Sequence, residues 1–286
     1  MSIDDLSFQL SSLLIIKQPK VNDAYPLIQE SYIKTADITF QADDPAYTGQ
    51  VNWATTVYYE TSGNRGPFTV TDAFTSQANT PTTRTFKSQG GRLSVGASEP
   101  GRKNADPIQY AYIIGTAIPN SDITSRLYSL YNGVTPNLLC GIADRESSYM
   151  QFSNITLFGY TGRWPYESYD GGSHIGLMQV PITMAYSWDW QVNTQTGANI
   201  FAEKVQLAKS FERQLRKTYP RLPRLTDSQI ENMALVLYGP EADPDPYMQY
   251  YIPQGSGNNW QWVENTANNP EGVPYANDVR DRAQKY

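Results

Sequence analysis

The sequence has one cysteine and one histidine in 286 residues. A single thiol, Cys140, excludes any disulfide within the chain. It sits beside Leu139 and reads as a small core residue, because a reactive thiolate needs an electropositive, accessible setting. A single imidazole, His174, has no partner for metal binding or acid–base work. No metal-ligand spacing and no phosphate loop appears, so neither a metal nor a cofactor is expected. Positive charge is also scarce. Lys and Arg number 22 against 28 Asp and Glu, the net charge is −6 and the pI is about 4.9. Nucleic-acid binding needs clustered Lys and Arg, so it is excluded as a function class. No stretch approaches the roughly 20 apolar residues of a membrane span. The opening "MSIDDLSFQLSSLLIIKQP" puts two acids where a basic n-region belongs, and its apolar run is short and broken. The expectation is a protein made in the cytoplasm without a signal peptide.

What is present is enough to fold. The chain is 40% hydrophobic and 17% charged, and its length favours two domains. Over residues 1–25, Ile3, Leu6, Leu10 and Leu13 predict an amphipathic helix that Pro19 ends. Over 26–118, six or seven short segments rich in Val, Ile, Thr, Tyr and Phe alternate with turn clusters such as "SGNRGP". They predict an antiparallel, immunoglobulin-like β-sandwich. From 119 to 286 the period changes to helical, with an irregular extension after 240 that closes on a last helix expected over "YANDVRDRAQKY". The expected fold class is therefore α+β, two domains: a β-sandwich followed by a mostly α-helical domain.

One helix stands out. In "TPNLLCGIADRESSY", Thr135 suits an N-cap and Pro136 the first helical position. Leu138, Ile142 and Glu146 fall four apart on one face, while Asp144 points elsewhere. A carboxylate in line with an apolar stripe is turned inward, and burial raises its pKa. That is what a general acid near neutral pH requires. Further on, "TDSQIENMALVLYGP" opens with Thr226 and Gln229, a capping-box pair. There Ile230, Ala234 and Tyr238 share a face.

Four pieces in order, "RESSY" at 145–149, "GLMQV" at 176–180, "NTQTGA" at 193–198 and "ALVLYGP" at 234–240, resemble the lysozyme-like superfamily of goose-type lysozymes and soluble lytic transglycosylases. The resemblance covers about residues 119–240 and implies a mostly helical lysozyme-like second domain. It further implies an enzyme that cuts the β-1,4 bond between N-acetylmuramic acid and N-acetylglucosamine of peptidoglycan, with Glu146 as catalytic acid. Gln179 and Tyr238 would position the sugar, with Ser147, Met178 in the cleft floor, Asn193 and, at the rim, His174. Trp188 and Trp190 are candidates for stacking on sugar rings. Gly239 departs from the family, which carries asparagine after the tyrosine.

Hydrolysis needs a second carboxylate to activate water. Asp170 matches the acid that goose-type lysozymes carry before the second motif, and Glu167 is a second candidate. Asp170 also fits a plain turn before Gly171 and Gly172. Without such a base, the muramic acid 6-hydroxyl attacks, and the enzyme is a lytic transglycosylase. The other class is an inactive lysozyme-like binding or structural component of a phage tail or secretion spike. A wall enzyme made in the cytoplasm must be delivered. The corresponding expectation is an antibacterial effector, for instance of a type VI secretion machine, that reaches the periplasm of a target bacterium. Its partners would be glycan strands, a secretion-spike or phage-tail component, and a cognate immunity protein.

Overall fold

The computed structural model describes residues 14–29, 33–87, 89–101, 108–131, 133–135, 137–239 and 245–286. The chain forms two units. One holds the residues up to Thr116 together with Phe152–Pro165 and Tyr169–Gly172, and the other holds Ala117–Gln151, Tyr166–Ser168 and Ser173–Tyr286. Ile3, Leu6, Leu10 and Leu13, on which the N-terminal helix rested, lie outside the described residues. Residues 15–18, the end of that expected helix, are a β-strand.

The first unit contains β1 (Ile15–Gln18), β2 (Ala24–Gln29), β3 (Ile33–Thr35), β4 (Ile38–Asp43), β5 (Gln50–Tyr59), β6 (Phe68–Gln77), β7 (Thr82–Arg84), β8 (Gly91–Ser98), β9 (Ile108–Ile114), β10 (Phe152–Leu157) and β11 (Tyr160–Pro165). A six-stranded sheet runs in the order β3-β2-β9-β8-β5-β6, and β1-β4-β7 form a second sheet. Period-2 alternation explains the core. Val51, Trp53, Val57 and Tyr59 point inward from β5, and Leu93, Val95 and Ala97 from β8. Phe40 of β4 meets Trp53 and Phe74 edge-on, with ring centroids 5.4 and 5.0 Å apart. Such pairs add about 0.5–1.5 kcal/mol beyond their area.

The expected immunoglobulin-like antiparallel sandwich is corrected here. β2 runs parallel to β9, so the large sheet is mixed and curled. Alternation in sequence marks a strand's inward face but is blind to its direction. A parallel pair needs a long crossover, and here it spans β3 to β8.

The second unit contains α1 (Asn120–Leu130), α2 (Leu138–Ser147), β12 (His174–Ile175), β13 (Val180–Pro181), α3 (Met184–Trp188), α4 (Trp190–Thr218), α5 (Asp227–Tyr238), β14 (Tyr251–Ser256), β15 (Asn259–Glu264) and α6 (Gly272–Ala283). The expected mostly helical, lysozyme-like second domain is contradicted. Among the described residues strand makes up 34% and helix 32%, and hairpins β12–β13 and β14–β15 interrupt the helices. β10–β11, within the stretch expected to be helical, joins the first unit.

Two local features place the site. α4 begins at Trp190, where the Asp189 carboxylate accepts the Gln191 and Val192 N–H groups at 2.9 and 3.0 Å, an N-cap. α2 and α6 pack closely at Gly141, where an added Cβ would lie 2.3 Å from the Val279 carbonyl oxygen. Thr135 is not the N-cap of α2. The helix starts after Asn137, which has left-handed backbone, and the Thr135 N–H is bound by Glu231.

Candidate active site

Glu146 sits in the last turn of α2. Ile142 and Leu138, one and two turns earlier on the same face, are fully buried. Ser148 and Tyr149 then take positive φ, 53° and 65°, and end the helix. Asp144 faces away and pairs with Arg282 at 3.0 Å and Lys285 at 3.1 Å. Glu146 is half-buried, and the Tyr275 hydroxyl of α6 donates to its Oε1. Burial pushes the Glu146 carboxyl above its ordinary range, against the smaller opposing pulls of the Tyr275 hydrogen bond and the Arg145 charge. A carboxyl whose pKa is pushed upward while part of it stays open has the direction of shift a proton donor needs.

Two tyrosines flank it. Tyr238, at the end of α5, donates to the Met178 carbonyl at 2.8 Å. Burial and then the Glu146 charge raise both the Tyr238 and Tyr275 hydroxyls well above the ordinary range. They therefore stay protonated donors.

The turn "GLMQ" closes the β12–β13 hairpin beside this cluster. Ser147 Oγ donates to the Leu177 carbonyl at 2.9 Å. The Leu177 N–H meets Gln151 Oε1 at 3.2 Å, and the Met178 N–H meets Asn193 Oδ1 at 2.9 Å. Asn193 Nδ2 donates to the Ile175 and Tyr186 carbonyls at 2.8 and 3.0 Å. Gly176 has φ +77°, and a Cβ there would lie 2.3 Å from Asn193 Nδ2; only glycine fits both the angle and the space. Gly197 has the same spatial role inside α4, where a Cβ would strike the Met178 side chain at 2.4 Å. Asn193 and Gly197 thus lie one turn apart near the start of α4.

The structure therefore brings Glu146, Ser147, Met178, Asn193 and Tyr238 together. Their roles differ from the sequence expectation. Ser147, Met178 and Asn193 are buried and hold the turn from behind. Gln179, half-buried with φ 44°, spends its amide nitrogen on the Gly176 carbonyl at 2.9 Å. His174 is exposed on β12, with Nδ1 2.9 Å from Ser173 Oγ. Trp188 and Trp190 are buried and belong to the packing, so neither offers a ring face to a sugar. Asp170 belongs to the first unit. It is exposed and leads into Gly171 and Gly172, with φ +81° and +83°, and Thr61 Oγ1 holds that turn through the Gly171 carbonyl at 2.8 Å. Glu167 is half-buried and bridges Ile175 through its backbone.

Tyr275 did not stand out in the sequence as a site residue: it opens the last helix expected over "YANDVRDRAQKY", which forms as α6, and it lies 129 residues from Glu146. A signal existed: Tyr275, Val279 and Ala283 form an i, i+4 stripe, with Ala276 three residues before Val279. Gly239 is its counterpart. The Gly239 backbone is extended and suits any residue, but a Cβ there would come 2.9 Å from the Tyr275 ring. The position where the resembled family carries asparagine is thus kept bare for Tyr275.

Tyr275→Phe gives a signed prediction. Its hydroxyl favours the ionised form of Glu146, so its removal lifts that pKa further. A general acid works protonated, and activity falls as pH rises through its pKa. The basic limb of the pH–rate profile is expected to move to higher pH in Tyr275→Phe. A limb that stays in place or moves down would remove Tyr275 from the site.

Among the described residues, no group of three or more His, Cys, Asp or Glu side chains is placed to hold a metal, and no helix is long and apolar enough to cross a membrane. In comparison with known proteins, no family model matches the chain, and no curated protein matches it.

Proposed function

We propose that the chain is a peptidoglycan-cleaving muramidase in which Glu146 protonates the leaving glycosidic oxygen between N-acetylmuramic acid and N-acetylglucosamine. The observation that carries this reading is the Glu146 carboxyl, desolvated and held by Tyr275 beside Tyr238 and the 176–179 turn. A neutral carboxyl fixed by a donor on one oxygen has its other oxygen free for the substrate. In a low-dielectric setting it delivers its proton to a poor leaving group. The four-piece motif resemblance supplies the substrate class. The reading rests on the side chains and not on a lysozyme-like fold.

Mass spectrometry of products from purified sacculi tests the reading. Muropeptides with reducing ends are expected from the wild type, and Glu146→Gln is expected to lose them. Anhydro-muropeptides from the wild type would replace hydrolysis by transglycosylation. Undigested sacculi would end the wall-cleaving reading.

A further inference from the structure

On the outer face of the six-stranded sheet, Arg92 of β8 stands among three aromatic rings. Its guanidinium carbon lies 5.0 Å from the Tyr110 ring centroid, 5.3 Å from Phe158 and 6.0 Å from Tyr58. These contacts fix the plane of the guanidinium and leave its N–H edge to other groups. Arg92 makes no hydrogen bond or ion pair among the described residues. The nearby Glu60 carboxylate is bound instead by the Tyr58 hydroxyl at 2.6 Å. The cage is braced from behind. Tyr112 stacks on Tyr160 at 4.4 Å, and its hydroxyl donates to the Phe158 carbonyl at 3.1 Å. The site is therefore organised before any ligand arrives.

The surface beside it is a shallow trough. Along β8 the residues after Arg92 on this face are Ser94 and Gly96. Ser94 lies opposite Thr56 and Tyr110, and Gly96 opposite Ala54 and Ile108. Small side chains make the floor. Tyr110 and Ile108, 42% and 59% exposed, make one wall, and the arginine cage closes one end. From Arg92 to Gly96 is roughly 13 Å at about 3.3 Å per strand residue, room for about three or four extended residues. A cationic end and an apolar wall fit a short peptide that ends in a carboxylate, the planar partner a guanidinium binds through two parallel hydrogen bonds.

We propose that this trough binds the peptide stem of the cell wall, with the stem's terminal carboxylate on Arg92. The choice of ligand rests on the wall-cleaving reading; the chemistry of the site does not. The test is calorimetric titration of the full wild-type chain with a synthetic, sugar-free stem tetrapeptide of alanine, D-isoglutamate, a diamino acid and D-alanine. Saturable binding is expected. Amidating the terminal carboxylate is expected to weaken binding roughly tenfold or more, and amidating only the isoglutamate carboxylate to leave it unchanged. Arg92→Gln should show the same loss as the terminal amide, with an unchanged near-ultraviolet spectrum, and Arg92→Lys should recover part of it.

Equal binding of acid and terminal amide, full binding by Arg92→Gln, or no binding at all would overturn the proposal. Tighter binding of an all-L tetrapeptide acid would overturn the choice of ligand in favour of a protein tail. The assay involves no cleavage, so the two readings fail separately. A chain that digests sacculi and ignores the peptide loses only this site. A chain that binds the peptide and leaves sacculi intact loses only the enzymatic reading.

Discussion

Glu146→Gln is expected to cut the rate of wall cleavage by about a hundredfold to ten-thousandfold, the range a lost general acid costs, while the chain stays folded. Glutamine keeps the size of the side chain, and its Oε1 still accepts from Tyr275. The sign of the stability change separates chemistry from folding. The folded pKa of Glu146 lies above its unfolded value of about 4.5. Between the two values the folded state holds more protons, so stability falls as pH rises through that window and then levels off. Glutamine carries no such penalty. At neutral pH the variant is therefore expected to melt at the same temperature as the wild type or higher. A variant that cleaves sacculi at the wild-type rate would remove Glu146 from the chemistry, and one that melts far lower would make its loss of activity uninformative.

The largest expected stability effect lies at Glu231. It is 3% exposed in α5, yet its carboxylate is fully used. Oε1 accepts from the Tyr131 hydroxyl and the Val134 N–H, both at 2.8 Å, and the Thr135 N–H reaches Oε2 at 3.1 Å. Arg280 of α6 approaches Oε2 at 3.8 Å and also binds Asn232, Ser228 and Thr135. One buried acid thus ties the end of α1 and the entry to α2 to α5 and α6, and α6 carries Tyr275. Glu231→Ala leaves the Arg280 charge and three donors without this partner. Breaking a buried pair from one side costs about 3–5 kcal/mol. Urea denaturation of the variant should show a loss of that size. A loss under about 1 kcal/mol, the worth of a surface pair, would mean that water replaces the carboxylate.

Local signals were legible in the sequence. The Thr226–Gln229 capping box forms at α5, and Glu146 and Tyr238 lie on the faces their spacing indicated. Long-range pairing was not legible. Alternation placed strands between residues 33 and 117 but did not show that β2 and β9 run parallel. "FSNITLFGYTGRWP", within the stretch expected to be helical, is a hairpin turning at Phe158 and Gly159. Glu231 was missed because a helical pattern treats an acid within "IENMALVL" as a solvent position, and only partners brought from Tyr131 and Arg280 make its burial tolerable. Ser147, Asn193 and Gly197 were legible as special residues but not as the frame of the turn, since that role depends on how closely α4 approaches the β12–β13 hairpin.

The most direct test of a proton-holding Glu146 is a carbon-13 NMR titration of its carboxyl carbon in the intact chain, with Glu146→Gln identifying the resonance. An inflection above the ordinary carboxylate range, moving higher still in Tyr275→Phe, agrees with a desolvated proton donor. An inflection at about 4.5 or below means an ionised surface acid, and contradicts it.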